Sequence, residues 1–251
     1  MYFVLMIGGA LLFRLPPDGW RPKGVPAGVP ESRSLTVEEA MGTRQFYLLW
    51  LVLLFNVTAG LGVLGQAAPM IQEVFGGLSA SAAAAFVAIL GFFNMGGRPL
   101  WASISDLIGR RATFTAFLVI GPLLFVAVPL AGRSGNLILF VACFAVIMTM
   151  YGGGFASMPP YIADIFGPGH VGAINGRVLT ALSVAGVLGP VAVNYLRELQ
   201  IARGIGAARA YDMTMFLMAG LLLVGLGCNL AITPISDREP TAPPPPDGQT
   251  A

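Results

Sequence analysis

Six long apolar runs joined by short links constrain this chain more than any other feature. They lie at about residues 45–74, 79–104, 113–131, 137–161, 172–195 and 211–233. Each reaches the roughly 18 residues needed to cross a bilayer. Lipid offers no partner to backbone amides, so each run is expected to close its hydrogen bonds internally as a helix. Composition agrees: 56% of the residues are hydrophobic and 10% are charged, whereas a soluble domain carries about a quarter charged residues. The expected fold is all-α, a polytopic membrane protein. The lipid bilayer is one implied partner. A formal charge of +2, spread over several loops, gives no basic stripe for nucleic acid.

The flanks read differently. Residues 1–13 are apolar but reach only about 20 Å, short of the roughly 30 Å hydrocarbon core. No basic region precedes them as a signal peptide requires, and they read as the end of a truncated membrane helix. Residues 14–44 form a cytoplasmic central loop with Pro16, Pro17, Pro26 and Pro30. Within it, Thr36 and Glu39 have the spacing of a capping box, which predicts a short helix starting there. Residues 45–233 hold the six-helix transmembrane bundle. Residues 234–251, with four consecutive prolines at 243–246, read as a disordered cytoplasmic tail. With the first loop inside, eight basic residues are cytoplasmic and four are outside, which is the orientation the positive-inside rule favours.

Polar residues inside the runs are few. Arg98 lies eight residues before Asp106, about 12 Å along a helix. An arginine within a span marks a functional site by default, with snorkelling or a bridge to Asp106 as the structural alternative. Its planar guanidinium can grip a carboxylate through two parallel hydrogen bonds. Arg177, only about five residues into its span, is expected to snorkel or pair with Asp164. Gln66, Asn94 and Tyr151 are candidates to line a polar cavity, as are Asn56, Asn175 and Ser183. Glycines and prolines at 60, 62, 65, 69, 152–154, 159 and 160 admit two readings, close helix packing or bending. After the second run, Asp106, Gly109, Arg110 and Arg111 form a short charged hairpin in which Asp106 can face both arginines.

That hairpin resembles the loop signature of the major facilitator superfamily, with Ala102 in a glycine position and Leu107 in a basic one. Several segments together resemble the superfamily's oxalate/formate antiporter family: Gln45 to Trp50, Asn56 to Gly60, Gly91 to Arg111, Tyr151 to Ala156, Gly172 to Asn194 and Tyr211 to Thr214. The match covers almost the whole chain but only the second half of a twelve-helix pattern. The resemblance implies a six-helix C-terminal bundle plus a remnant of helix six. It also implies that Arg98 corresponds to an arginine that holds the carboxylate substrate, with Tyr151 and Phe155 as an aromatic wall. The family's lysine partner falls near Leu182, and the chain's one lysine is Lys23. A single buried cation suits a monoanion better than a dianion.

The expected function is secondary transport of a small organic anion, a carboxylate, by alternating access across the inner cell membrane. Arg98, Tyr151, Phe155, Gln66 and Asn94 are the expected substrate-binding residues. Asp106, Gly109, Arg110 and Arg111 are the expected gating loop. The chain reads as an incomplete half transporter; a homodimer, a separately encoded second half, or a non-transporting membrane interaction protein are the alternatives. No nucleophile–base set, metal-ligand cluster or phosphate-binding glycine loop stands in the sequence, so no enzyme activity, metal or cofactor is expected.

Overall fold

The computed structural model describes residues 2–12, 34–233 and 235, so the prolines of the central loop and the tail lie outside the described residues. The chain divides into two units, residues 1–32 and 33–251. In the first, α1 (Tyr2–Leu12) is an eleven-residue apolar helix. The second begins with α2 (Val37–Met41), and its start follows from local chemistry. Thr36 Oγ1 accepts from the Glu39 amide at 3.3 Å, and Glu39 Oε2 accepts from the Thr36 amide at 2.8 Å. The predicted capping box is formed. Ser34 and Leu35 are tied to a distant turn, residues 166–169: the Gly169 amide donates to Ser34 Oγ, and the Leu35 amide to the Phe166 carbonyl, both at 2.8 Å.

Six spans follow, each long and apolar enough to cross a membrane. They are α3 (Arg44–Val74), α4 (Ala80–Ile108), α5 (Arg110–Arg133), α6 (Leu137–Phe166), the pair α7 (Val171–Val178) with α8 (Thr180–Ala202), and the pair α9 (Ala207–Ala210) with α10 (Asp212–Leu230). No strand occurs among the described residues. The protein is an all-α polytopic membrane bundle.

The charged hairpin is as short as its residues imply, and both flanking helices reach closer to it than the runs at 79–104 and 113–131. α4 continues through Asp106 to Ile108, and α5 begins at Arg110, so Gly109 alone makes the turn. It does so at φ 88° and ψ 153°, a conformation essentially confined to glycine. Gly167 makes the next turn at the same end with φ 87° and ψ 162°. α3 runs through Pro69 and α6 through Pro159 and Pro160 as single helices. The fifth span is divided at Leu179, between α7 and α8.

The most extensive interfaces pair α4 with α6, α3 with α8, and α5 with α10. Glycines set how close these helices come. A Cβ on Gly97 would lie 2.2 Å from the Thr149 carbonyl oxygen, and one on Gly152 would lie 2.0 Å from that of Asn94. Gly62 and Gly189 face each other across α3 and α8 in the same way, the Gly189 position lying 3.0 Å from the Gly62 nitrogen. Of the glycines singled out in the sequence, Gly60, Gly62, Gly152, Gly153 and Gly154 sit at such close approaches, whereas a Cβ at Gly65 would meet nothing within 4 Å. Around them, Phe86, Phe140 and Phe144 form a ring cluster, and Tyr161 stacks on Phe114 at 5.4 Å.

Burial is uneven. The most apolar stretches of α3 and α6 are each 61% buried, but that of α4 is 22% and that of the α7–α8 span 28%. α4 and α8 therefore present most of their surface outward.

Candidate functional site

At mid-length the long helices converge on one cluster. Gly60 is the seventeenth of 31 residues in α3, Asn94 the fifteenth of 29 in α4, and Tyr151 the fifteenth of 30 in α6. The Tyr151 ring occupies the space a side chain at Gly60 would fill, with ring carbon Cδ2 2.2 Å from that Cβ position. Asn94 lies against Gly152. Phe155, one turn along α6, meets Tyr151 edge-to-face at 5.3 Å between ring centres. Two turns along α4 from Asn94, Trp101 donates to Thr149 Oγ1 at 3.2 Å and fixes the register of the seam.

Arg98 is exposed and lies within electrostatic reach of Tyr151. It makes no ion pair with any described residue; in particular Asp106 is taken by Arg110. The structural alternative of an Arg98–Asp106 bridge is thus not realised. Arg98 is four residues from Asn94, so it stands about 6 Å from the middle of the helix. An unpaired arginine near the centre of a span costs about 2.5–3.5 kcal/mol on insertion scales. Such a group needs water or an anion beside it.

The face that carries Arg98 has a distinct chemistry. At about 100° per residue, Ala84, Gly91, Arg98 and Ala102 fall on one flank of α4's buried stripe, and Ile89, Phe93, Leu100 and Leu107 on the other. α8 is divided likewise, with Ser183, Gly186, Pro190 and Asn194 on one flank and Val184, Leu188, Val191 and Tyr195 on the other. Each helix thus has a bulky flank suited to lipid and a small or polar flank suited to protein or water.

The structure brings Arg98, Asn94, Tyr151 and Phe155 together along the α4–α6 seam. Gln66 belongs to a different seam: its amide donates to Asn194 Oδ1 of α8 at 2.6 Å. Leu182 packs against the core, and Arg177 is exposed without an ion pair to Asp164. Asn56, buried beside Gly154, has an amide nitrogen with no hydrogen-bond partner. It shares a cleft near the Tyr151 ring with Gly60 and Phe117.

The charged turn also differs from expectation. Asp106 pairs with Arg110 as expected. Arg111 turns away and donates to the Leu230 carbonyl at 2.6 Å, where the exposed C-terminus of α10 favours a cation. Arg44 does the same for Ala231 at 2.9 Å. Beside them is a buried network the sequence reading missed. Tyr161 donates to Asn229 Oδ1 at 3.0 Å, and the Asn229 amide donates to the Arg111 carbonyl at 3.1 Å and to Thr115 Oγ1 at 3.0 Å. The one signal for it was an asparagine inside the last apolar run.

The sequence profile of the Major Facilitator Superfamily matches residues 1–190 and, in a second alignment, 55–249. The chain belongs to the Major Facilitator Superfamily. Among curated members, it is 27% identical over 186 residues to the oxalate:formate antiporter of Oxalobacter formigenes, covering 74% of this chain and 43% of the antiporter. It is 26% identical over 160 residues to the uncharacterized MFS-type transporter YhjX of Escherichia coli, 64% of this chain and 39% of that protein. Apicoplast pyruvate carrier 2 of Toxoplasma gondii is 31% identical over 107 residues, 42% of this chain and 16% of the carrier. The chain spans less than half the length of each of these superfamily relatives. The oxalate/formate-like branch expected from the sequence is supported by the first of them.

Proposed function

We propose that this chain supplies the C-terminal half of a secondary active transporter for a small organic carboxylate, working by alternating access in the inner cell membrane. The observation that carries the proposal is Arg98: exposed, without an ion pair among the described residues, near mid-span, and on the small flank of α4 beside Tyr151. Two relatives are named for small carboxylates, oxalate and formate in one case and pyruvate in the other. In this reading Arg98 grips the carboxylate by two hydrogen bonds, and Tyr151, Phe155 and Asn94 shape the cavity around it. Gln66, held by Asn194, forms a second wall. Leu182, which the family resemblance sets near the lysine position, packs against the core, and with Arg98 as the one cation the site favours a monocarboxylate. The turn at Gly109, with the Asp106–Arg110 pair and Arg111 on α10, fastens one end of the bundle during the cycle.

The outward small flanks of α4 and α8 support the half-transporter reading. They suit a second bundle, either a separate half or another copy of this chain, with the substrate held between the two. Energy comes from an exchanged anion or a co-transported ion. The test is uptake of radiolabelled formate, pyruvate and oxalate by proteoliposomes carrying the protein, wild type against Arg98→Gln. Loss of a desolvated charge contact costs about 2–5 kcal/mol, so monocarboxylate uptake should fall at least about thirtyfold. Unchanged uptake removes Arg98 from the site.

A further inference from the structure

A second cavity lies away from Arg98, at the end of the bundle opposite the Gly109 turn. It is about 130 Å³ in volume and is bounded by α3, α5, α6, α9 and α10. Its inner wall is apolar: Met70, Val128, Phe140 and Met215 each keep 2% or less of their surface exposed. Its rim is charged. Arg133 is committed to Asp212 through contacts of 2.6 and 3.3 Å. Arg209 also lines the cavity, is exposed, and forms no ion pair with a described residue. Arg133, Arg209 and Asp212 sum to one positive charge.

We infer that this cavity binds a small amphiphilic monoanion, an aromatic carboxylate, with its ring against the apolar wall and its carboxylate on Arg209. Size argues for that class. A cavity of about 150 Å³ lined by aliphatic and aromatic side chains takes benzene, so the space here accepts one ring and is too small for a long acyl chain. Charge fixes the polarity, because Arg209 is the rim group left without a protein counter-charge among the described residues. Neighbouring contacts hold the walls in place. Tyr211, 2% exposed, lies under the Arg197 guanidinium at 5.5 Å from its ring centre, and Arg197 is clamped on Glu73 at 2.5 and 3.3 Å. α3, α8 and the start of α10 are thereby joined around the cavity. An occupant would stiffen that junction without touching the Arg98 cluster.

The experiment is calorimetric titration of the purified full chain, in lipid nanodiscs, with benzoate and with benzyl alcohol as its neutral analogue. Benzoate should bind more tightly than benzyl alcohol. Arg209→Glu should weaken benzoate by up to about fivefold, the top of the range for an exposed ion contact, and leave benzyl alcohol nearly unchanged. Ala208→Trp, an exposed position at the mouth, should block both without altering the core. Arg98→Gln should alter neither. Equal binding of the two ligands, benzoate affinity unmoved by Arg209→Glu and Ala208→Trp, absence of benzoate binding, or its loss in Arg98→Gln would each overturn the assignment. The last result would place benzoate in the proposed transport site instead.

Discussion

Two adjacent glycines on α4 should respond in opposite ways to the same added methyl group. A Cβ at Gly97 would sit 2.2 Å from the Thr149 carbonyl oxygen and 2.5 Å from its Cα. A carbon–oxygen contact of this kind normally lies at about 3.3–3.6 Å. The colliding atoms are backbone, so no side chain can rotate away. Helices α4 and α6 must part by about 1 Å or more, along the seam that holds Asn94, Trp101 and Tyr151. Overpacking of this kind costs about 1–3 kcal/mol, occasionally more. For a chain of this size that is a fall of several degrees in melting temperature, at about 2–4 °C per kcal/mol. At Gly96 the added Cβ meets nothing within 4 Å, and alanine is the better helix former by about 1 kcal/mol. Thermal unfolding of both variants in nanodiscs, followed by size-exclusion fluorescence, reads the difference. Gly97→Ala should melt several degrees below wild type, and Gly96→Ala at or above it. Equal melting temperatures would refute the claim that glycine spacing sets the α4–α6 seam.

Three further outcomes follow from the geometry. Asn229→Ala removes the partner of the Tyr161 hydroxyl and the donor to Arg111 and Thr115, so it should cost about 2–4 kcal/mol, measured by denaturation in detergent. Gly109→Ala places a side chain at φ 88°, ψ 153°, which should cost about 1–3 kcal/mol in the same assay, with Gly167→Ala behaving alike. Gly152→Ala forces Asn94 away from α6 and displaces the proposed site by about 1 Å, a shift that can lower carboxylate uptake by about a hundredfold.

What the sequence made legible was local or strongly periodic. The capping box at Thr36 and Glu39 needs only residues three apart, and it formed as read. The six spans announce themselves by length and hydropathy, because lipid leaves the backbone few alternatives. Helix ends were less legible. The second apolar run stops near residue 104 because charge marks a span's end, yet α4 runs on through Asp106 to Ile108 before Gly109 turns the chain. Partners far apart in sequence were illegible. Arg111 has Arg110's charge and nearly its position, but it ends on Leu230, 119 residues away. Asn229 carries no local sign of Tyr161. Gln66 and Asn94 look equivalent as lone amides in apolar runs, and only packing assigns one to α8 and the other to the Tyr151 cluster.

The central claim is that Arg98 holds a small carboxylate at mid-span. Equilibrium binding of radiolabelled pyruvate to the purified protein, by scintillation proximity, tests it most directly. Pyruvate carries no ring to fill the apolar cavity near Arg209, so its binding reports on the Arg98 cluster. Arg98→Gln should lower the affinity at least about thirtyfold, Arg98→Lys should lower it less, and Gly96→Ala should leave it unchanged. Equal affinity in wild type and Arg98→Gln would contradict the account.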